Sequence, residues 1–184
     1  MRAGGDGDDA IDDYSAIDVT KDGISLATTI ASATATFGST NVTRVGLRSI
    51  VVSKLTLGGQ WQSAFVAVGG DVWPTGIVAT DAGGVYVSGM QSGTATYIGN
   101  SRASAGYEDA FVVKVSPSAS LDWVKILGNS DHTYVVKIGS ALGGGVILNF
   151  DNEGSGTVQV GSTAQQMNVL DSMVVHIPPS GDLP

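Results

Sequence analysis

The chain repeats itself about every 60 residues, and this limits it to architectures built by stacking one small unit. Ser49-Ile50-Val51-Val52-Ser53-Lys54-Leu55 reads like Asp109-Ala110-Phe111-Val112-Val113-Lys114-Val115 and like Asp171-Ser172-Met173-Val174-Val175-His176-Ile177. Other landmarks keep the same order. Ala35-Thr36-Phe37 pairs with Ala95-Thr96-Tyr97, with Gly156-Thr157-Val158 in the third place, and Trp61 pairs with Trp123. Gly23-Ile24-Ser25-Leu26, Gly84-Val85-Tyr86-Val87 and Gly145-Val146-Ile147-Leu148 form a further set. The units run over 1–63, 64–125 and 126–184.

Each unit contains short runs rich in Val, Ile, Thr, Tyr and Phe, separated by Gly, Asp, Asn or Ser. In the second unit the runs fall near 75–80, 84–89, 94–98 and 110–115. Runs of this length and composition are strands rather than helices. Asp22-Gly23 and Asp81-Ala82-Gly83-Gly84 read as hairpin turns, because glycine adopts positive φ without a steric penalty. Composition agrees: the chain has 26 Gly, and only Glu108 and Glu153 among its 17 acidic residues are glutamate. The expectation is an all-β fold of three four-stranded antiparallel, propeller-like blades.

At this level the sequence resembles the bacterial β-propeller repeats called SBBP. The likeness rests on Gly69-Gly70-Asp71, on Gly84-Val85-Tyr86-Val87-Ser88-Gly89 and on Asp109-Ala110-Phe111-Val112-Val113-Lys114, with Gly4-Gly5-Asp6 and Gly128-Asn129-Ser130-Asp131 opening the flanking units. The third unit departs most: Met173 replaces Phe, His176 replaces Lys, and Pro178-Pro179 follow in place of a Trp. The resemblance implies a propeller, often of about seven blades, in a secreted or cell-surface bacterial protein. Propellers have 4–8 blades, so three units imply a piece of a longer ring, a ring completed by a second chain, or a stack of sheets.

Net charge is −8, and the nine Lys and Arg residues are scattered. Phosphate recognition needs clustered cations, so nucleic acid is not an expected partner. No apolar run is long enough for a membrane-spanning helix, so membrane insertion is not expected either. Residues 1–22 have no basic region followed by an apolar one, so no signal peptide is expected in this chain. With no cysteine there is neither a disulfide framework nor a thiolate metal site.

Candidate chemistry is sparse. Gly4-Gly5-Asp6-Gly7-Asp8-Asp9-Ala10-Ile11-Asp12 fits a calcium nonapeptide, with Asp6, Asp8, Asp9 and Asp12 as oxygen donors. Such sites are built from stacked copies, and for a single copy a solvated blade-opening turn is the better account, with calcium as the alternative. Trp73 and Tyr107 fall outside the aromatic positions of the repeat and are candidates for stacking on a ligand such as a sugar ring. His132 reads as a turn residue and His176 as a polar strand position. Asp109 and Asp171 share one position in the repeat, which suits a turn former better than a catalyst. No nucleophile elbow is present, and the Gly-rich stretch 141–145 does not open a helix, so it reads as a turn rather than a phosphate cradle.

The expected function is a non-catalytic extracellular or cell-surface interaction module with a protein or glycan partner and no cofactor other than the calcium alternative. Two alternatives are a self-assembling structural subunit and a fragment of a carbohydrate-active propeller enzyme that uses Asp pairs.

Overall fold

The computed structural model describes residues 3–5, 15–160, 163–168 and 170–183. It is all-β: among the described residues 68% are strand and none is helical, in keeping with the turn-rich composition. In chain order the strands are β1 (Ala3–Gly4), β2 (Ala16–Thr20), β3 (Gly23–Ile30), β4 (Thr34–Phe37), β5 (Thr40–Thr43), β6 (Arg48–Leu55), β7 (Trp61–Ala79) and β8 (Val85–Tyr97). They continue as β9 (Asn100–Ala103), β10 (Asp109–Val115), β11 (Leu121–Leu127), β12 (Thr133–Ser140), β13 (Val146–Asn152), β14 (Gly156–Val160), β15 (Thr163–Met167) and β16 (Asp171–Ile177).

One local order recurs. Two strands, a hairpin and a third strand appear as β2-β3, β4-β5 and β6, and again as β12-β13, β14-β15 and β16. In between, the second half of β7, then β8, β9 and β10 follow the same path, with the end of β8 serving as the first arm of the hairpin. The sequence runs at 84–89 and 94–98 are therefore parts of a single strand.

The sheets do not divide as the repeat does. An eight-stranded sheet runs β11-β10-β8-β7-β6-β3-β2, with β9 added on β8, and it curls into a half-barrel. It contains strands of the first two units because β7 is continuous through 19 residues. The first half of β7 pairs with β6 as far as Gly70, and the second half pairs with β8. Gly70, at φ 147°, sits where the ladder shifts register, a bulge that re-aims the strand. A second shift lies between Pro74 and Gly76, where a residue without an N–H is tolerated. The remaining strands form β1-β4-β5, β12-β13-β16 and β14-β15.

Burial explains the apolar runs. Val113 and Phe111 of β10 face one core, with Val52, Val87 and Tyr97. Ala110 and Val112, on the other face, enter a second core with Leu148, Phe150 and Ile177. A strand covered on both sides reads as a continuous hydrophobic run. In β16 only one face is covered, so burial alternates, and Val174 is 67% exposed. The equivalent Val52 and Val112 are both 0% exposed.

The repeated Ser/Asp position closes a loop. Ser49 Oγ accepts the Val45 N–H at 2.7 Å, the Asp109 carboxylate accepts the Ala105 N–H, and Asp171 Oδ2 accepts the Asn168 N–H at 2.6 Å. The repeated lysine also has a structural role. Lys54 donates to the Gly83 carbonyl, and Lys114 donates to the Pro179 carbonyl at 3.0 Å. Each thereby ties the end of its strand to a turn elsewhere in the chain.

Candidate functional site

Three backbone hydrogen bonds gather distant residues at the start of β12. Tyr107 N–H donates to the Asp131 carbonyl at 3.2 Å, Thr133 N–H to the Glu108 carbonyl at 2.8 Å, and Glu153 N–H to the His132 carbonyl at 3.0 Å. Glu108 and His132 form an isolated parallel bridge. Glycines permit the approach. A Cβ on Gly106 would lie 2.4 Å from the Asn129 carbonyl oxygen, and one on Gly154 would lie 2.3 Å from the Asp131 side chain.

The result is a ladder of three rings edged by carboxylates. Tyr107 and His132 lie 5.4 Å apart at 18°, and His132 and Tyr134 lie 5.8 Å apart at 14°. Near-parallel rings at these separations are offset stacks. Glu108 Oε2 is 3.3 Å from His132 Nδ1, and Glu153 Oε2 is 3.5 Å from the Tyr134 hydroxyl. Both glutamates of the chain are thus at one place. Burial and the two neighbouring carboxylates push the Tyr134 phenol up to about 12. Tyr107 is 69% exposed, so the end of the ladder is open to solvent.

Buried polar groups hold the ladder from beneath. Asn129 Oδ1 accepts the Asp131 N–H at 2.8 Å, and Asp131 Oδ1 accepts the His132 N–H at 3.0 Å. Asn152 accepts from the Thr133 hydroxyl at 3.2 Å and donates to the Gly154 carbonyl. Nearby Asp109 is fully buried. Burial raises its carboxyl above the usual range, against the opposing effect of the Ala105 and Gly106 N–H groups. Its Oδ1 makes no hydrogen bond.

The set is suited to binding. Ring faces provide apolar contact and attract cations, and the carboxylates accept hydrogen bonds. Among the described residues the side-chain partner of the His132 ring is the Glu108 carboxylate.

The other sequence candidates lie apart from it. Trp73 is half-buried, with the Arg48 guanidinium 4.7 Å from its ring centre and Asp71 3.8 Å from Arg48. Asp6, Asp8, Asp9 and Asp12 lie outside the described residues. Among the described residues no three His, Asp or Glu side chains are placed to hold a metal ion. His176 is exposed on β16. A groove of about 690 Å³ lies at the opposite ends of β10 and β12, rimmed by Asp18, Asp81, Lys114, Asp122 and the 141–145 turn. Three consecutive glycines there, Gly143 to Gly145, have φ near 80°.

Sequence reasoning singled out Tyr107 and missed the rest of the ladder. His132, Tyr134, Glu108 and Glu153 have no spacing signature. The only available signal was that both glutamates of a glutamate-poor chain flank strand ends of the repeat.

No protein-family model matches this chain, and no curated protein matches it. No helix among the described residues is long and apolar enough to cross a membrane.

Proposed function

We propose that the chain is a non-catalytic interaction module that presents the Tyr107–His132–Tyr134 ladder on a rigid β-frame. One observation carries this reading: three stacked rings, the outermost largely exposed, share one surface with both glutamates of the protein. Binding residues positioned by loops on a stiff scaffold are a common arrangement. The repeated strand order and the resemblance to SBBP propeller repeats support an extracellular or cell-surface scaffold in a bacterium. The test is a parallel screen on peptide and glycan arrays with the wild type and with a Tyr107→Ala variant. A ligand bound by the wild type and lost by the variant supports the reading. Ligands bound equally by both, or none at all, would refute it.

A second reading, self-assembly through a sheet face, is favoured by Val174. Its equivalents in the first two units are fully buried, whereas Val174, Ile147 and Val136 are exposed at 67%, 43% and 41%. Ile147 and Val174 lie on the outer face of the β12-β13-β16 sheet. Light scattering would show a multiple of 18.6 kDa, reduced to the monomer by Val174→Lys. A wild-type monomer at high concentration would exclude it.

A further inference from the structure

The two junctions between repeat units follow one plan with the charges reversed. Arg48 and Glu108 stand at the same position, each immediately before the loop-closing Ser49 or Asp109. The strand ladders align Trp73 with Tyr134. Trp73 lies opposite Met90 and Tyr134 opposite Asp151, and Met90 and Asp151 are equally far along β8 and β13. The same alignment matches Asp71 with His132. At the first junction Arg48 reaches Asp71 at 3.8 Å and lies 4.7 Å from the Trp73 ring centre. At the second, Glu108 reaches His132 at 3.3 Å, beside Tyr134.

The first junction therefore contains its own guanidinium, aromatic ring and carboxylate. The second has aromatic rings and carboxylates, but Glu108 occupies the place of the cation and Glu153 adds another acid. Among the described residues, neither glutamate forms an ion pair with a lysine or arginine. Tyr107 adds an exposed ring face that has no counterpart at the first junction, where Leu47 stands.

We propose that the Tyr107–His132–Tyr134 face, with Glu108 and Glu153, binds an arginine side chain of a basic peptide. This rests on the reading of that face as the contact surface of the module. A guanidinium is planar, so it can stack on the Tyr107 ring while its edge N–H groups donate to the carboxylates. The net charge of −8 favours the approach of a basic partner over an acidic one. An ammonium group meets the charge requirement but not the stacking one.

The test uses the full chain and a dansyl-labelled peptide, Gly-Gly-Arg-Arg-Gly-Gly amide, followed by fluorescence anisotropy. Versions with Lys or Gln in place of Arg and an unlabelled glycan panel are run beside it. The expected result is binding of the Arg peptide in preference to the Lys peptide and no binding of the Gln peptide. Tyr107→Ala, and Glu108→Gln combined with Glu153→Gln, should each weaken binding by roughly tenfold. Asp22→Asn, an exposed acid elsewhere, should leave it unchanged. Equal affinity for Arg and Lys peptides, or equal loss in Asp22→Asn, would mean only diffuse charge attraction and would overturn the proposal. If a glycan binds in a Tyr107-dependent way and the Arg peptide does not, the arginine proposal falls and the contact-surface reading stands. If nothing binds, both fall.

Discussion

Asp109 offers the sharpest test of how the repeat is held together. Its carboxylate is fully buried, accepts the Ala105 N–H and leaves Oδ1 without a partner. Gly128 lies so close that a Cβ there would be 2.1 Å from Oδ1. Asp109→Ala removes the acceptor that closes the 105–109 loop. A hydrogen bond to a charged group contributes about 1.5–3 kcal/mol. Removing the buried charge and rehydrating the exposed loop at Ala105 offset part of this, so the net loss is about 1–2 kcal/mol at pH 7. For a chain of this size that is roughly 2–4 °C in Tm per kcal/mol.

Asp109→Asn keeps an acceptor for the Ala105 N–H and buries no charge, so it should be less destabilised than Asp109→Ala. The pH dependence gives the sign. Burial raises the Asp109 carboxyl in the folded protein above its unfolded value. A group raised on folding contributes stability below its unfolded pKa, of about 3.9 for Asp, and that contribution is lost as pH rises through the folded pKa. Acidification from neutral toward pH 4 should therefore favour the wild type relative to Asp109→Asn, which does not titrate there. Urea unfolding followed by tryptophan fluorescence at pH 7 and pH 4.5 measures both gaps. If the Asn variant is as unstable as the Ala variant at pH 7, or if its gap to wild type does not change with pH, the loop-closing account is wrong.

Further expectations concern packing and the junctions. Phe111 is fully buried against Tyr97 at 5.3 Å, so Phe111→Ala should cost about 3–5 kcal/mol by chemical denaturation; a loss under 1 kcal/mol would show that the core repacks. Gly76→Ala would place a Cβ 2.2 Å from the Ile138 side chain and should cost roughly 1–3 kcal/mol, with Ile138→Val restoring part of it in the double variant. Arg48→Ala should destabilise by no more than about 1–2 kcal/mol, since its ion pair with Asp71 and its contact with Trp73 are both partly exposed. A larger loss in thermal melts would mean that the first junction is a principal support of the fold.

The 60-residue period, the all-β class and the turns at Asp22-Gly23, Asp81–Gly84 and Ala141–Gly145 were legible in the sequence. They depend on local properties: glycine at the turns, β-branched and aromatic residues in the runs, and a motif recurring at constant spacing. Phe37 and Tyr97, which recur at that spacing, are both buried, as is Phe111. What the sequence could not show is anything decided by which faces meet. Val52, Val112 and Val174 occupy one position in the repeat, yet two are sealed and one is exposed, because burial depends on the neighbouring sheet. The expected separate blades share the continuous strand β7, because the bulge at Gly70 turns it from β6 to β8 without ending it. Glu108, His132 and Glu153 meet only because backbone hydrogen bonds join a loop, a strand entry and a turn 45 residues apart along the chain. Sequence spacing fixes which residues share a strand face, whereas the meeting of different strands and loops is set by the packing of the whole chain.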